Sequence, residues 1–239
     1  MNLGKKACTL LFVISILAIT ACSTPTTSAT STSNATTTFK SNPSVPTEVE
    51  ATEFMGTKLT PINQQNNNAL AGTQHIDKNT YVLTVDGLVD SPLRLTYADL
   101  LALPQISKLM PLNCVEGWNF NAKWTGPSLV DIFTRAKVQT TAKIAIFHTT
   151  DVPEGYSSLD LSYIDQRNII IALKDNDITL PDDRGFPFQV VAESKYGYKW
   201  AKWITRIELS DNTNFRGYWE SNGYNNNGDV GGPQFESSP

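Results

Sequence analysis

Asn113-Cys114-Val115-Glu116-Gly117-Trp118, followed by Trp124-Thr125-Gly126-Pro127, is the stretch of this chain whose reading settles the rest. A lone cysteine beside a glycine, an acid and tryptophans is richer than packing requires. Its thiolate suits a soft metal ligand or a nucleophile, and its protonated form suits a small buried hydrophobe, the commonest fate of a free cysteine. A second rich window lies downstream. It reads Arg184-Gly185-Phe186-Pro187-Phe188-Gln189, then Lys195-Tyr196-Gly197-Tyr198-Lys199-Trp200-Ala201-Lys202-Trp203, and closes with Gly217-Tyr218-Trp219-Glu220. All five tryptophans fall in these windows. Interleaved Lys, Arg and aromatic side chains suit either a cation–π-laced surface or a pocket for an anionic, planar ligand.

Composition narrows the chemistry. At 239 residues and 40% hydrophobic content, a single core can be stable without staples. A formal charge of −4, from 19 basic and 23 acidic residues, excludes a generic basic nucleic-acid binder, so no nucleic-acid partner is expected. Two His cannot supply a His-rich metal site, and three Cys cannot supply a four-thiolate cluster or a disulfide framework.

The three cysteines have separate fates. Lys5-Lys6 precede an apolar run from Ala7 to Ile19, which ends in Thr20-Ala21-Cys22. The run is too short to span a membrane comfortably and reads as a signal peptide over residues 1–22. Cys22 after small residues resembles the lipobox of prokaryotic lipoproteins, in which that cysteine is lipidated. From Ser23 to Thr38, twelve of sixteen residues are Ser or Thr, a composition that cannot offset chain entropy by burial. The expected organisation is a signal at 1–22, a disordered tether at 23–50 and one domain at 51–239. It places the protein outside the cytoplasm, in the periplasm or at the cell surface, held to a membrane by lipid. Cys8 leaves with the signal and Cys22 is consumed, so Cys114 is the remaining thiol.

Within the domain, Tyr81–Val85 alternates into Asp86-Gly87, which predicts a strand and turn, and Leu93–Leu95 predicts another strand. Thr96-Tyr97-Ala98-Asp99 reads as a capped helix start that Pro104 closes near Leu103. A second helix is expected from Pro127, with Leu129, Ile132, Phe133 and Ala136 on one face. Strands are expected at Ile144–Phe147, Ile169–Leu173, Phe188–Ala192 and Trp203–Leu209, the last with Trp203, Thr205, Ile207 and Leu209 on one side. Asp175-Asn176-Asp177 predicts a hairpin turn, and residues 63–68 read as a polar loop. Short helices among many strands, without regular βαβ alternation, predict a β-rich α+β fold.

The order of Tyr81-Val82-Leu83-Thr84-Val85-Asp86-Gly87, Cys114-Val115-Glu116-Gly117-Trp118, Trp124-x-Gly126, Gly185-x-Pro187, Tyr196-Gly197-Tyr198-Lys199 and Lys202-Trp203-Ile204 resembles the oxidoreductase molybdopterin-binding domain of the sulfite oxidase type. The resemblance runs from about Leu59 to the C-terminus. It implies the sulfite-oxidase-type fold, with mixed sheets and short helices, and a molybdenum–molybdopterin cofactor in which Cys114 is the one protein ligand to the metal. One thiolate then suffices, because the cofactor brings the other sulfur donors. The resemblance further implies a molybdenum-cofactor-dependent oxidoreductase that transfers an oxygen atom to or from a small sulfur- or nitrogen-oxo substrate. With no haem-attachment CxxCH in the sequence, electrons are expected to pass to or from a separate partner. Carried over residue by residue, cofactor contacts are expected at Asn113, Cys114, Thr149, Arg184, Gln189, Lys199, Trp200, Ala201 and Lys202, and Asp151 and Tyr156 are expected at the substrate mouth.

Two departures stand out. The family usually carries Arg where Gln189 stands, and Asn or His where Arg184 stands. The signal carries Lys5-Lys6 and not twin arginine, the usual export route for chains already loaded with this cofactor, which puts loading in question. The alternative is a cofactor-free binding or assembly lipoprotein on the same fold. A thiol nucleophile enzyme would need His75 or His148, and neither sits in a recognisable signature.

Overall fold

A computed structural model describes residues 47–236. The expected signal 1–22, the lipidation site Cys22 and nearly all of the expected tether lie outside the described residues. The elements run β1 (Glu53–Phe54), β2 (Thr57–Lys58), β3 (Val82–Gly87), β4 (Leu93–Thr96), α1 (Tyr97–Ala102), β5 (Gln105–Asn113), β6 (Asn119–Pro127) and α2 (Leu129–Ala136). They continue β7 (Ile144–Thr149), β8 (Ser157–Asp160), α3 (Leu161–Arg167), β9 (Ile171–Ala172), β10 (Lys174–Asp175), β11 (Ile178–Thr179), β12 (Gln189–Val190), β13 (Ile204–Ser210) and α4 (Tyr218–Ser221). Among the described residues no helix is long and apolar enough to cross a membrane.

Two sheets carry the architecture. A five-stranded sheet in the order β4-β3-β13-β7-β8 pairs antiparallel except at β3–β13, which is parallel. A four-stranded antiparallel sheet runs β11-β10-β6-β5. A small β12–β9 pair adds to the framework. One cluster of buried residues spans both sheets: Leu83, Phe147 and Ile207 come from the first, Trp124 from the second, and Phe188 and Trp200 from the segments between. Gly126 shows how closely β6 and β9 approach, since a Cβ there would lie 1.9 Å from the Ile171 carbonyl oxygen.

The long β5–β6 hairpin, paired from Gln105↔Pro127 to Asn113↔Asn119, is not anticipated by the sequence. β6 buries Phe120, Ala122 and Trp124 on alternate positions, as a half-buried strand should. β5 hides its pattern because it is the sheet's edge, half exposed along most of its length, and holds Pro111, which an edge strand tolerates.

The predicted α1 cap is present. The Thr96 hydroxyl accepts from the Asp99 amide at 3.2 Å, and the Asp99 carboxylate accepts from the Thr96 amide at 2.8 Å. The Asp175–Ile178 hairpin turn is present too, with positive φ at both Asn176 and Asp177, as a primed turn requires. Three expectations need correction. The second helix starts two residues later, at Leu129: Pro127 ends β6, and Ser128 caps α2 by accepting from the Val130 amide. Only the two-residue strands β9 and β12 form within the expected Ile169–Leu173 and Phe188–Ala192. The last strand starts at Ile204, and a bulge between Ile204 and Arg206 shifts its phase, so Ile204, Ile207 and Leu209 face inward. Trp203 lies outside that strand at φ 53°, with its indole N–H donating to the Asp182 carbonyl at 2.7 Å.

Candidate functional site

Cys114 opens the loop that joins β5 to β6. Its amide donates to the Trp118 carbonyl at 2.9 Å and its carbonyl accepts from the Gly117 amide at 3.1 Å. Gly117 sits at φ 91°, a left-handed conformation that glycine adopts freely, and this lets the five-residue loop close. The half-buried thiol lines a cavity that is partly open to solvent. Trp118 and Phe120 stack at 6.2 Å on the hairpin side, and Trp124 meets Trp200 at 5.7 Å in the interior. Tyr198, Trp219 and Tyr224 form a further wall, with Tyr224 5.2 Å from Tyr198 and 5.3 Å from Trp219.

Glu116, Tyr156, Arg184, Gln189 and Lys202 supply the polar side chains, together with Asn66, Asn67 and Asn68. Buried Arg184 is spent largely on backbone: its Nη atoms donate to the carbonyls of Asn66, at 2.8 Å, Gln65 and Ile62. Its Nε is buried with no partner. Lys202 Nζ donates to Asn67 Oδ1 at 2.6 Å and to the carbonyls of Asn68 and Asp183. Burial, with the neighbouring Arg184 charge second, pulls Lys202 down from 10.5 to about 8. The two cations thus pin the asparagine run against the cavity.

Burial pushes the Cys114 thiol up, and the Glu116 charge adds to this, while the Glu116 and Val115 amides favour the thiolate. Burial also pushes the Tyr156 phenol up, opposed by a hydrogen bond with Trp219, so its hydroxyl keeps its proton. Hydrogen bonds with Asn68 and with the Trp118 indole, the latter at 2.8 Å, hold Glu116 below the usual carboxylate range.

Of the residues expected from sequence, Cys114, Tyr156, Arg184, Gln189, Trp200 and Lys202 come together on this cavity. Asn113, Thr149, Asp151, Lys199 and Ala201 do not line it. Asn113 pairs with Tyr196 through a backbone bridge, and the Thr149 hydroxyl donates to Asp151 at 2.7 Å. Ala201 is fully buried. Lys199 turns away from the cavity: its Nζ lies 2.6 Å from Glu220 Oε1, with both side chains almost wholly buried. The sequence reading missed Asn66–Asn68 and Tyr224, and it singled out Trp219 in the second window without giving it a site role. The asparagine run carries no periodicity and reads as surface, and the two aromatics reach the site only through folding of the C-terminal segment.

Residues 70–219 match the model of the oxidoreductase molybdopterin binding domain. The chain belongs to this family. It is 33% identical over 155 residues to the uncharacterised oxidoreductase YuiH of Bacillus subtilis, covering 64% of this chain and 76% of that one. It is 32% identical over 152 residues to the putative protein-methionine-sulfoxide reductase subunit YedZ1 of Azospira oryzae, covering 64% and 57%. Mitochondrial sulfite oxidase of Drosophila melanogaster is 31% identical over 156 residues, covering 59% of this chain but only 27% of that one. Among solved structures, the sulfane dehydrogenase SoxCD of Paracoccus pantotrophus shares the fold at TM-score 0.56 and 23% identity, over 59% of this chain and 40% of that one. The β-rich sulfite-oxidase-type fold expected from the sequence is therefore present. The matched stretch ends at Trp219, so Asn66–Asn68 and Tyr224 lie outside it.

The family implies a molybdenum cofactor, and the cavity fits one. One thiol faces it, and among the described residues no cluster of three or more His, Cys, Asp or Glu could hold a metal without donors from elsewhere. Arg184 Nε, buried without a hydrogen-bond partner and 3.8 Å from Asp183 Oδ2, belongs to a guanidinium that brings positive charge to the cavity wall beside Lys202, as an anionic group needs.

Proposed function

We propose that this chain is an extracytoplasmic, lipid-anchored oxidoreductase in which Cys114 supplies the one protein ligand to molybdenum. The observation that supports the reading is a lone thiol at the start of a closed hairpin loop, lining a cavity that two cations, Arg184 and Lys202, also line. Cys114 would hold the metal. Arg184 and Lys202 would supply positive potential for the anionic end of the pterin, and Gln189 and Trp200 would line the pterin's bed. When bound, such a centre exchanges one oxygen atom and two electrons with a substrate. Membrane attachment through Cys22 and a separate electron-transfer partner belong to the same proposal, as does a small oxo substrate.

The chain's own groups have defined tasks in this reading. The Cys114 thiol keeps its proton until a metal displaces it, because burial and the Glu116 charge disfavour the free thiolate. Tyr156 holds a proton on its hydroxyl oxygen, where it can donate a hydrogen bond to an oxygen atom in the cavity. The aromatic walls keep water out and shape the approach.

Metal and pterin analysis of the full chain, made in a host that loads molybdopterin enzymes, tests this. Molybdenum bound in proportion to protein, and lost in Cys114→Ser while the fold persists, is the expected result. A folded protein without molybdenum from such a host would instead favour the cofactor-free binding lipoprotein.

A further inference from the structure

The cavity's charges are unevenly committed. All three protons of the Lys202 ammonium have an acceptor in the 67–68 segment or at Asp183, and the Arg184 Nη groups are spent on the carbonyls of Ile62, Gln65 and Asn66. The remaining Arg184 Nε is buried, 3.8 Å from Asp183 Oδ2, so neither cation holds out a free donor to an anionic substrate. At the exposed rim, by contrast, the Glu116 carboxylate stands beside Trp118, whose indole N–H donates to it at 2.8 Å. Facing the same cavity are Trp219, Tyr224 and Tyr198, with Tyr224 within 5.3 Å of both others, and the aromatic surface continues outward to Phe235, 57% exposed and 4.9 Å from Tyr224. The protein's own cations are used on other rings, namely Phe54, Phe120, Tyr163 and Trp203. Among the described residues no Lys or Arg lies over Trp118, Trp219 or Tyr224, and these three rings are half-buried and line the cavity, whereas Tyr198 is buried against Tyr196.

Electron-rich, half-buried rings lining a cavity beside a fixed carboxylate suit recognition of an organic cation. We propose that the Glu116 carboxylate and the aromatic rim of Trp118, Trp219 and Tyr224 bind the cationic group of the substrate, a protonated or quaternised amine. Resting on the reading of the cavity as the redox site, this makes the substrate an oxo compound that carries such an amine, and it disfavours small oxyanions. Glu116 is then the residue that determines specificity, and it touches the substrate away from the reacting oxygen.

Choline and its uncharged isostere, with carbon in place of the quaternary nitrogen, separate charge from size. Both are titrated into the full chain as purified, following the fluorescence of the tryptophans that line the cavity. Choline should bind about tenfold more tightly than the isostere, the preference that a partly desolvated cation–π site confers. Glu116→Gln keeps an acceptor for the Trp118 indole but removes the charge, and should weaken choline by about three- to fivefold while leaving the isostere unchanged. Trp118→Leu should reduce choline binding with Glu116 intact. Equal affinity for the two compounds, no saturable response to choline in the millimolar range, or a Glu116→Gln variant with the wild-type preference would each overturn the proposal. Molybdenum is measured on the same preparations. Choline binding in metal-free protein supports the cation site while counting against the redox reading, and loaded protein that ignores choline does the reverse.

Discussion

Asp175 holds the hairpin beneath the asparagine run, and its replacement by Asn has a calculable effect. The carboxyl is fully buried. Its Oδ1 accepts from Gln65 Nε2 at 3.3 Å, whereas Oδ2 has no partner. Burial drives it up from 3.8 to about 7, against the opposing effects of the Gln65 hydrogen bond and the Arg184 charge. A carboxyl raised in this way binds its proton more tightly folded than unfolded. Its contribution to stability is fully present below the unfolded value and is lost as pH rises through the folded value. A rise from 3.8 to about 7 is worth up to roughly 4 kcal/mol across that window. Asp175→Asn keeps the size and the acceptor but does not titrate. Urea unfolding of both proteins, followed by tryptophan fluorescence at a series of pH values, should show the wild type losing stability from about pH 4 to about pH 7 relative to the variant. Parallel profiles for the two proteins would refute the assignment of a buried, proton-holding carboxyl at this position.

Other expectations concern single groups. Lys199→Met and Glu220→Leu each strand a charge at a pair that is 1% and 0% exposed, and each should cost about 3–5 kcal/mol in urea unfolding, whereas the double variant should recover most of that loss. The metal-free Cys114 thiol should react slowly with iodoacetamide at neutral pH and faster as pH rises. Glu116→Gln, by removing the charge that pushes the thiol up, should move the pH–rate profile toward lower pH. A profile that stays put in Glu116→Gln would show that the carboxylate does not act on the sulfur.

Local signals made part of this fold readable. β3 alternates into Gly87, Thr96 and Asp99 form a reciprocal cap, and Asn176-Asp177 takes the left-handed turn its residues favour. The β5 strand escaped because an edge position removes the alternation that marks a half-buried strand. The site divides along the same line. Cys114, Arg184 and Lys202 stand in windows whose chemistry is visible in their neighbours. Which way a lysine in a short turn points is decided by distant partners: Lys202 finds Asn67, and Lys199, three positions earlier, finds Glu220. Asn66–Asn68 became a wall of the site only because Arg184 and Lys202 draw it in, a contact spanning well over a hundred residues of sequence.

The central claim is that one thiol, at Cys114, holds molybdenum in this cavity. Its most direct measurement is X-ray absorption at the molybdenum edge of the full chain, purified from a host that makes the cofactor, beside Cys114→Ser. The account predicts sulfur scattering from the wild-type metal that falls by one ligand, or disappears with the metal, in the variant. A loaded Cys114→Ser protein with the wild-type sulfur shell would contradict it.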